Sequence, residues 1–503
     1  MVLGRARARG AVIVGVRGQL VDVEVDVSQG LPAVSIVGLP DASVSEARHR
    51  VRCAVESAGL DWPLHRVTVS LTPAEVRKSG SGLDLPIAIG ILAASGQLQG
   101  AQLDDCALLA ELGLDGRLLP AAGALAMIVA ARDAGLRRAV VAGQALDALV
   151  HVPGIDVLPA ATLRSLVDHL CGGTQLSPAL HAPVPEPTAE ADLSDVRGHQ
   201  DSLLALEVAA AGAHHVAVIG PPGVGKSMLA TRMPGLLPDL TEAQALETAA
   251  IASVAGLDPP GRRPPVAAPH HSASAASVLG SVRGSRVAPG AVTLAHLGCL
   301  VLDEAAEFAR PSLEGLRQPL ETGLIALQRA GWAGRLPARF QLVMTANPCP
   351  CGRRNGSGVG CTCTSMAVRR YRSKLSGPLM DRIDVRLGID KPSPAQAARP
   401  IAESSAVVRE RVVVARERAA ERFAAEAWST NADIPPRALR ARYSPDAAGA
   451  DLLEALSRDQ SGLRGPDRIL RMAWTLADLR GADRPGRDDV AVAMALRTSW
   501  ESR

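Results

Sequence analysis

Apolar and polar positions along the first third of the chain alternate at two different periods. Val21-Asp22-Val23-Glu24-Val25 repeats every second residue, the signature of a half-buried strand. Short apolar runs at 12–16, 34–37, 66–71, 108–112 and 139–141 predict further strands. Between them, Val44, Ala47, Val51, Ala54 and Val55 recur at helical spacing within 43–58. Residues 85–94 form a continuous apolar helix, and 121–134 a helix ending at Gly135. The pattern predicts an α+β domain over residues 1–170.

The pattern then breaks. Gly172-Gly173 followed by Pro178, Pro183, Pro185 and Pro187 predicts a linker over 171–193. From 194 to 390 the strongest apolar runs, 216–219, 300–302 and 341–346, read as buried strands; the first leads into Gly220 and the other two end at Asp303 and Asn347. Beyond Pro392 the chain is charged and helical, with predicted helices over 404–423, 447–456, 469–479 and 488–496. This predicts a helical region over 391–503.

At 503 residues the chain is long enough for two or three domains. A net charge of +3 neither demands nor excludes nucleic acid, so any basic surface must be local. Aromatic residues are too scarce for stacking on many bases at once. The apolar run at 11–16 is too short for a signal segment, and no run is long enough to span a bilayer. The expectation is a cytoplasmic protein without membrane contact. Cys53, Cys106, Cys171 and Cys299 are scattered, which argues against a disulfide framework.

The candidate chemistry begins at Gly220-Pro221-Pro222-Gly223-Val224-Gly225-Lys226-Ser227, a G-x-x-x-x-G-K-S phosphate loop between an apolar run and a helix-compatible one. Its backbone N–H groups and the following helix N-terminus suit phosphate, Lys226 the β- and γ-phosphates, and Ser227 a Mg²⁺ ion. The run 299–302 delivers Asp303 to the metal side of the phosphates and Glu304 to the attacking water as base. Asn347, ending the next strand, can hydrogen-bond the γ-phosphate or that water. ATP and Mg²⁺ are therefore the expected cofactors.

Other features leave alternatives open. His270-His271 invite a metal, but adjacent side chains diverge and no third ligand is near, so a loop role is favoured. Cys349, Cys351, Cys361 and Cys363 suit structural zinc, with a disulfide pair as the alternative. Residues 324–340 read as a β-hairpin carrying Arg329, Trp332 and Arg335. Arg369 and Arg370 open the densest basic run, which suits a phosphate backbone, a solvated helix face or a subunit contact.

In order, the stretches 220–230, 269–272, 300–304, 316–321, 340–352 and 375–384 resemble the magnesium-chelatase-like AAA+ family that includes ComM and YifB. The resemblance implies an α/β protein with three parts. These are a Lon-protease-like but non-proteolytic α+β domain, a central AAA+ P-loop αβα domain with a parallel sheet, and a C-terminal helical lid. On the Lon pattern the Ser position falls at Gly82 and the Lys position near Leu125, and Lys78 with Ser79 or Ser81 is a poor substitute dyad. The resemblance further implies a homo-hexameric ATPase. Asn347 would be sensor 1, Arg382 (with Arg386 second) the arginine finger for a neighbour, and Arg464 (with Arg468 second) sensor 2. The hairpin bearing Arg329, Trp332 and Arg335 would touch DNA, and 238–289 would form an insert facing the ring centre. The family's best-characterised branch is a DNA branch-migration motor. A metal-insertion motor like magnesium chelatase is the alternative, although no integrin-like domain is present. Ala305-Ala306 replace a frequent Leu-Pro, and Gly465-Pro466 interrupt the sensor 2 segment.

Overall fold

A computed structural model of the chain describes residues 2–39, 41–76, 78, 80, 82–98, 102–149, 151–179, 191–284, 286–329, 332–354, 360–397, 402–459 and 464–498. Two sheets organise it. The first has eight strands and is built on a long antiparallel hairpin, Val2–Val14 with Arg17–Ser28, turning at Gly15 where φ is +68°. Arg66–Thr72 and Ala33–Val37 extend it on one side; Cys106–Leu112, Arg138–Ala142 and Asp156–Ala160 extend it on the other. Val21, Val23, Val25 and Val27 point into a core capped by the helices Ala42–Ser57 and Asp84–Ala94. The hairpin is longer than the apolar run at 12–16 predicts. Its extra length is a polar ladder in which Arg5 pairs with Asp26 (2.8 Å) and Arg9 with Asp22 (3.1 Å). Cross-strand ion pairs of this kind support a strand without any hydrophobic signal.

The second sheet is parallel throughout. Its order is Val266–Ala267, Cys299–Leu302, Gln341–Ala346, Val216–Ile219, Val385–Gly388. The three middle strands are the apolar runs seen in sequence, because strands covered on both faces need no polar alternation. The two edge strands are not legible. One has only two residues, and the other carries Arg386, buried, in its second position.

The C-terminal helices, Ser405–Arg422, Pro436–Arg442, Ala447–Asp459, Arg464–Arg480 and Arg487–Thr498, close the chain. Val408, Val412, Ile469, Met472, Ala473, Val490 and Ala493 share one core with Val216 and Val218 of the parallel sheet. Polar stitches reinforce that core. The Arg411 guanidinium donates to both carboxylate oxygens of Glu207 (2.7 and 3.1 Å), and Arg416 donates to the Ala210 carbonyl (2.6 and 3.0 Å). Two hairpins, Ser281–Arg283 with Arg286–Ala288 and Leu324–Arg329 with Trp332–Pro337, stand side by side. No helix among the described residues is long and apolar enough to cross a membrane.

Candidate nucleotide site

Three parallel strands end on the same side of the sheet, and each delivers chemistry there. After Val216–Ile219 the chain turns through Gly223 (φ +76°) and Gly225 (φ +96°), left-handed positions that suit glycine. At Gly220 a Cβ would lie 2.3 Å from the Ile389 carbonyl oxygen, so only glycine lets the loop leave its strand so close to the neighbouring one. Lys226 then opens a short helix, Lys226–Arg232. Its buried ammonium donates to the Pro221 carbonyl (2.7 Å) and to Asn347 Oδ1 (3.0 Å). Burial pushes the Lys226 pKa down, against the opposing pull of Asp303 and Glu304.

The Ser227 hydroxyl donates to Asp303 Oδ1 (2.9 Å), as does Thr345 Oγ1. Thr345 also accepts the Glu304 amide (3.0 Å). One hydroxyl thus ties the end of the central strand to both acidic residues. Sequence reasoning missed Thr345; its signal is a hydroxyl at the next-to-last place of an otherwise largely apolar strand. Glu304 has φ +54°, and its carboxylate is half exposed. The donor set fits the implied cofactors. Ser227 and Asp303 present oxygen atoms at one point, which suits a hard cation such as Mg²⁺. The Lys226 ammonium rests on two neutral oxygens that phosphate oxygens can replace.

Gly220, Pro221, Pro222, Gly223, Val224, Gly225, Lys226, Ser227, Asp303, Glu304 and Asn347 therefore gather at one end of the sheet. Arg382 does not. It lies just before Val385, which pairs with Val216 at the start of the P-loop strand, so it sits at the opposite end. Its buried guanidinium donates to the Pro378 carbonyl and pairs with Glu321. Arg386 is at the same end and donates to the Met380 carbonyl (2.7 Å). Arg468 pairs there with buried Asp384. Burial alone would raise the Asp384 pKa, but Arg468 and His214 hold it well below the usual carboxylate range. Arg464 begins the helix Arg464–Arg480, and its side chain lies outside the described residues. A recess of about 860 Å³ under the strand starts is lined by Arg339, Arg382, Arg468 and Arg471 together with Phe340 and Trp428.

The four clustered cysteines converge. Their Sγ atoms lie within 4.8 Å of one another, with separations of 3.4, 3.7 and 3.8 Å among Cys349, Cys351 and Cys361, and Cys363 completes the set. A tetrahedron with metal–sulfur bonds of about 2.3 Å has edges of roughly 3.8 Å, so this cluster can hold one metal ion. All four are free thiols rather than disulfides. The loop leans on the P-loop: a Cβ on Gly352 would lie 2.7 Å from Pro222 Cδ.

Of the hairpin residues, Arg329 and Arg335 are exposed. Trp332, expected at DNA, is instead half-buried and packs on the core that contains Val16 of the first hairpin and Leu336. It shares a face with Ile325 and Leu336, so its ring is drawn inward. The β-hairpin at Ser281–Ala288, missed in sequence, exposes Arg283 and Arg286. Arg369 and Arg370 are exposed on the helix Ser365–Arg372. Lys78 is buried and donates to the Pro73 carbonyl, while Ser79 and Ser81 lie outside the described residues.

A five-stranded parallel sheet with a P-loop, an Asp-Glu strand end and a polar strand end between them defines an AAA+-type nucleotide-binding protein. Three family models match the chain: magnesium chelatase, subunit ChlI, over residues 192–397; subunit ChlI of Mg-chelatase over 23–145; and magnesium chelatase, subunit ChlI C-terminal, over 402–497. An uncharacterised protein of Mycobacterium tuberculosis is 44% identical over 100% of both chains. YifB of Escherichia coli is 39% identical, and competence protein ComM of Haemophilus influenzae 38%, each over 96% of this chain and 95% of the relative. The chain belongs to the magnesium-chelatase-like family of ComM and YifB.

Proposed function

We propose that this protein is an ATP-hydrolysing motor that assembles as a homo-hexameric ring in the cytoplasm and acts on DNA, in branch migration or a helicase-like step. The observation that carries DNA as the partner is the pair of adjacent hairpins. Arg283, Arg286, Arg329 and Arg335 are exposed there, and among the described residues none has an acidic partner. Unpaired arginines on neighbouring ribbons suit a phosphate backbone. Arg369 and Arg370 add a second exposed basic site.

Hydrolysis follows from the strand ends. The P-loop and Lys226 hold the phosphates, Ser227 and Asp303 hold Mg²⁺, Asn347 orients the γ-phosphate, and Glu304 takes the proton of the attacking water. Bound Mg²⁺ supplies charge neutralisation on the β- and γ-oxygens. Arg382 serves the site of the next copy, with Arg464 as sensor 2. Residues 1–170 act as a non-proteolytic Lon-like platform, 171–193 as a linker, 194–390 as the ATPase core and 391–503 as the helical lid. The cysteine cluster holds structural zinc that braces the P-loop through Gly352.

The test is ATP turnover with and without branched duplex DNA across a salt series. Stimulation by DNA, lost with Lys226→Ala, is expected. Serine at all four hairpin arginines should weaken DNA binding and reduce its salt slope by roughly one per lost contact. Stimulation by a porphyrin-carrying partner and none by DNA would favour the metal-insertion reading. Metal analysis should find about one zinc per chain, lost with Cys349→Ser.

A further inference from the structure

Three strands deliver the phosphate loop, the acidic pair and Asn347, and one aromatic residue packs where all three leave the sheet. Tyr371 lies on the helix Ser365–Arg372, whose start is capped by the Thr364 hydroxyl accepting the Ala367 amide (3.2 Å). Val368 and Tyr371, three apart, are its buried residues, while Arg369, Arg370 and Arg372 stay exposed. Tyr371 clusters with Ala346, the last residue of its strand, and with Ala306, in the turn that follows Glu304. Ile219, the last residue of the P-loop strand, packs against the same cluster. The helix end is fastened in place. Arg372 Nε donates to the Pro348 carbonyl (3.3 Å), one residue past Asn347. Lys374 pairs with Glu307 (3.5 Å) and lies over the Tyr371 ring, 5.4 Å from its centroid.

The turn needs this support. Glu304 has φ +54°, in the left-handed region that a residue with a side chain keeps only when its surroundings impose it. Thr345 holds its amide (3.0 Å), and the turn Ala305–Glu307 closes with the Glu307 amide donating to the Glu304 carbonyl (2.7 Å). Ala306 and Glu307 are the residues of that turn that Tyr371 and Lys374 meet. We infer that Tyr371 is a positioning residue for ATP hydrolysis, backing the turn that keeps Glu304 in its left-handed conformation and its carboxylate toward the attacking water. This rests on Glu304 being the base of ATP hydrolysis. A base held in one orientation avoids the loss that a misplacement of about 1 Å brings, up to roughly 100-fold.

Steady-state ATP turnover and binding of a non-hydrolysable ATP analogue test the inference on the full-length protein and on three variants: Glu304→Gln, Tyr371→Ala and Tyr371→Phe. Phenylalanine keeps the ring that packs with Ala306 and Ala346. Tyr371→Ala is expected to lower kcat about tenfold with KM and analogue affinity unchanged, and Tyr371→Phe to restore most of it. Tyr371→Leu, read in the same way, takes the place of the alanine variant should that one fail to fold. An unchanged kcat in Tyr371→Ala would overturn the inference. So would an equal fall in the alanine and phenylalanine variants, which marks a role for the hydroxyl, or a fall matched by lost analogue affinity, which marks a role in nucleotide binding. Retained turnover in Glu304→Gln would instead remove the hydrolytic assignment on which the inference stands.

Discussion

The two ends of the parallel sheet are built on opposite plans. At the strand ends, Lys226 meets Asn347 and Ser227 meets Asp303 across short polar contacts that a ligand can replace, with the half-exposed Glu304 beside them. At the strand starts, charged groups are matched and mostly buried: Arg468 with Asp384, Arg382 with Glu321, Arg471 with the Ile434 carbonyl. The first end is poised to receive, and the second is largely matched within the chain, although Arg382 Nε and Arg468 Nε have no hydrogen-bond partner there. Charges matched inside the chain fix geometry, whereas charges left to a ligand carry chemistry. Arg382 stands between the plans. It is at the matched end, but its partner Glu321 is half exposed and lines the same recess, so an incoming group can take its place.

The sharpest way to break this contrast is at Arg382. As a finger serving another copy, Arg382→Ala should lower turnover by about 10³-fold or more while leaving nucleotide affinity intact. Mixing Arg382→Ala with Glu304→Gln subunits should then return measurable turnover, because some junctions combine an intact Glu304 with an intact Arg382. A dead mixture would return Arg382 to a purely structural role.

Asp384 measures how far the other end is structural. Asp384→Asn strands Arg468 without its partner, so a loss of about 3–5 kcal/mol in urea unfolding is expected. A loss in turnover without that destabilisation would place catalysis at the matched end.

The smallest effect comes from His215, which precedes the P-loop strand. Its Nδ1 accepts the Leu342 amide (3.1 Å), and burial pushes its pKa down to about 4, with Asp384 opposing. The unfolded chain takes up this proton near pH 6.5 and the folded chain only near pH 4. Stability is therefore full above about pH 6.5 and falls as pH drops toward 4. The loss should be on the order of 2–3 kcal/mol between pH 7 and pH 4.5. His215→Gln should flatten that slope.

The sequence made the receiving end readable and left the matched end largely hidden, for a physical reason. Phosphate binding needs particular residues at fixed spacing on one strand–loop–helix unit, so 220–227 and 303–304 announce themselves locally. The partners Glu321 with Arg382 and Asp384 with Arg468 lie 61 and 84 residues apart, and nothing local marks them as pairs. The inward packing of Trp332 was hidden for the same reason: it depends on a core that includes Val16, in a distant hairpin. Arg283 and Arg286 went unread because their strands are three residues each, too short for a periodic signal.

The core that the C-terminal helices share with the parallel sheet bears on how the proposed motor would transmit force. With Val412, Met472 and Val490 packed into the same apolar body as Val216 and Val218, those helices have no greased joint on which to swing. Opening one would expose that surface to water. In the ring we propose, mechanical compliance would then lie where copies meet, and each subunit would behave as a stiff lever whose travel is set at its borders.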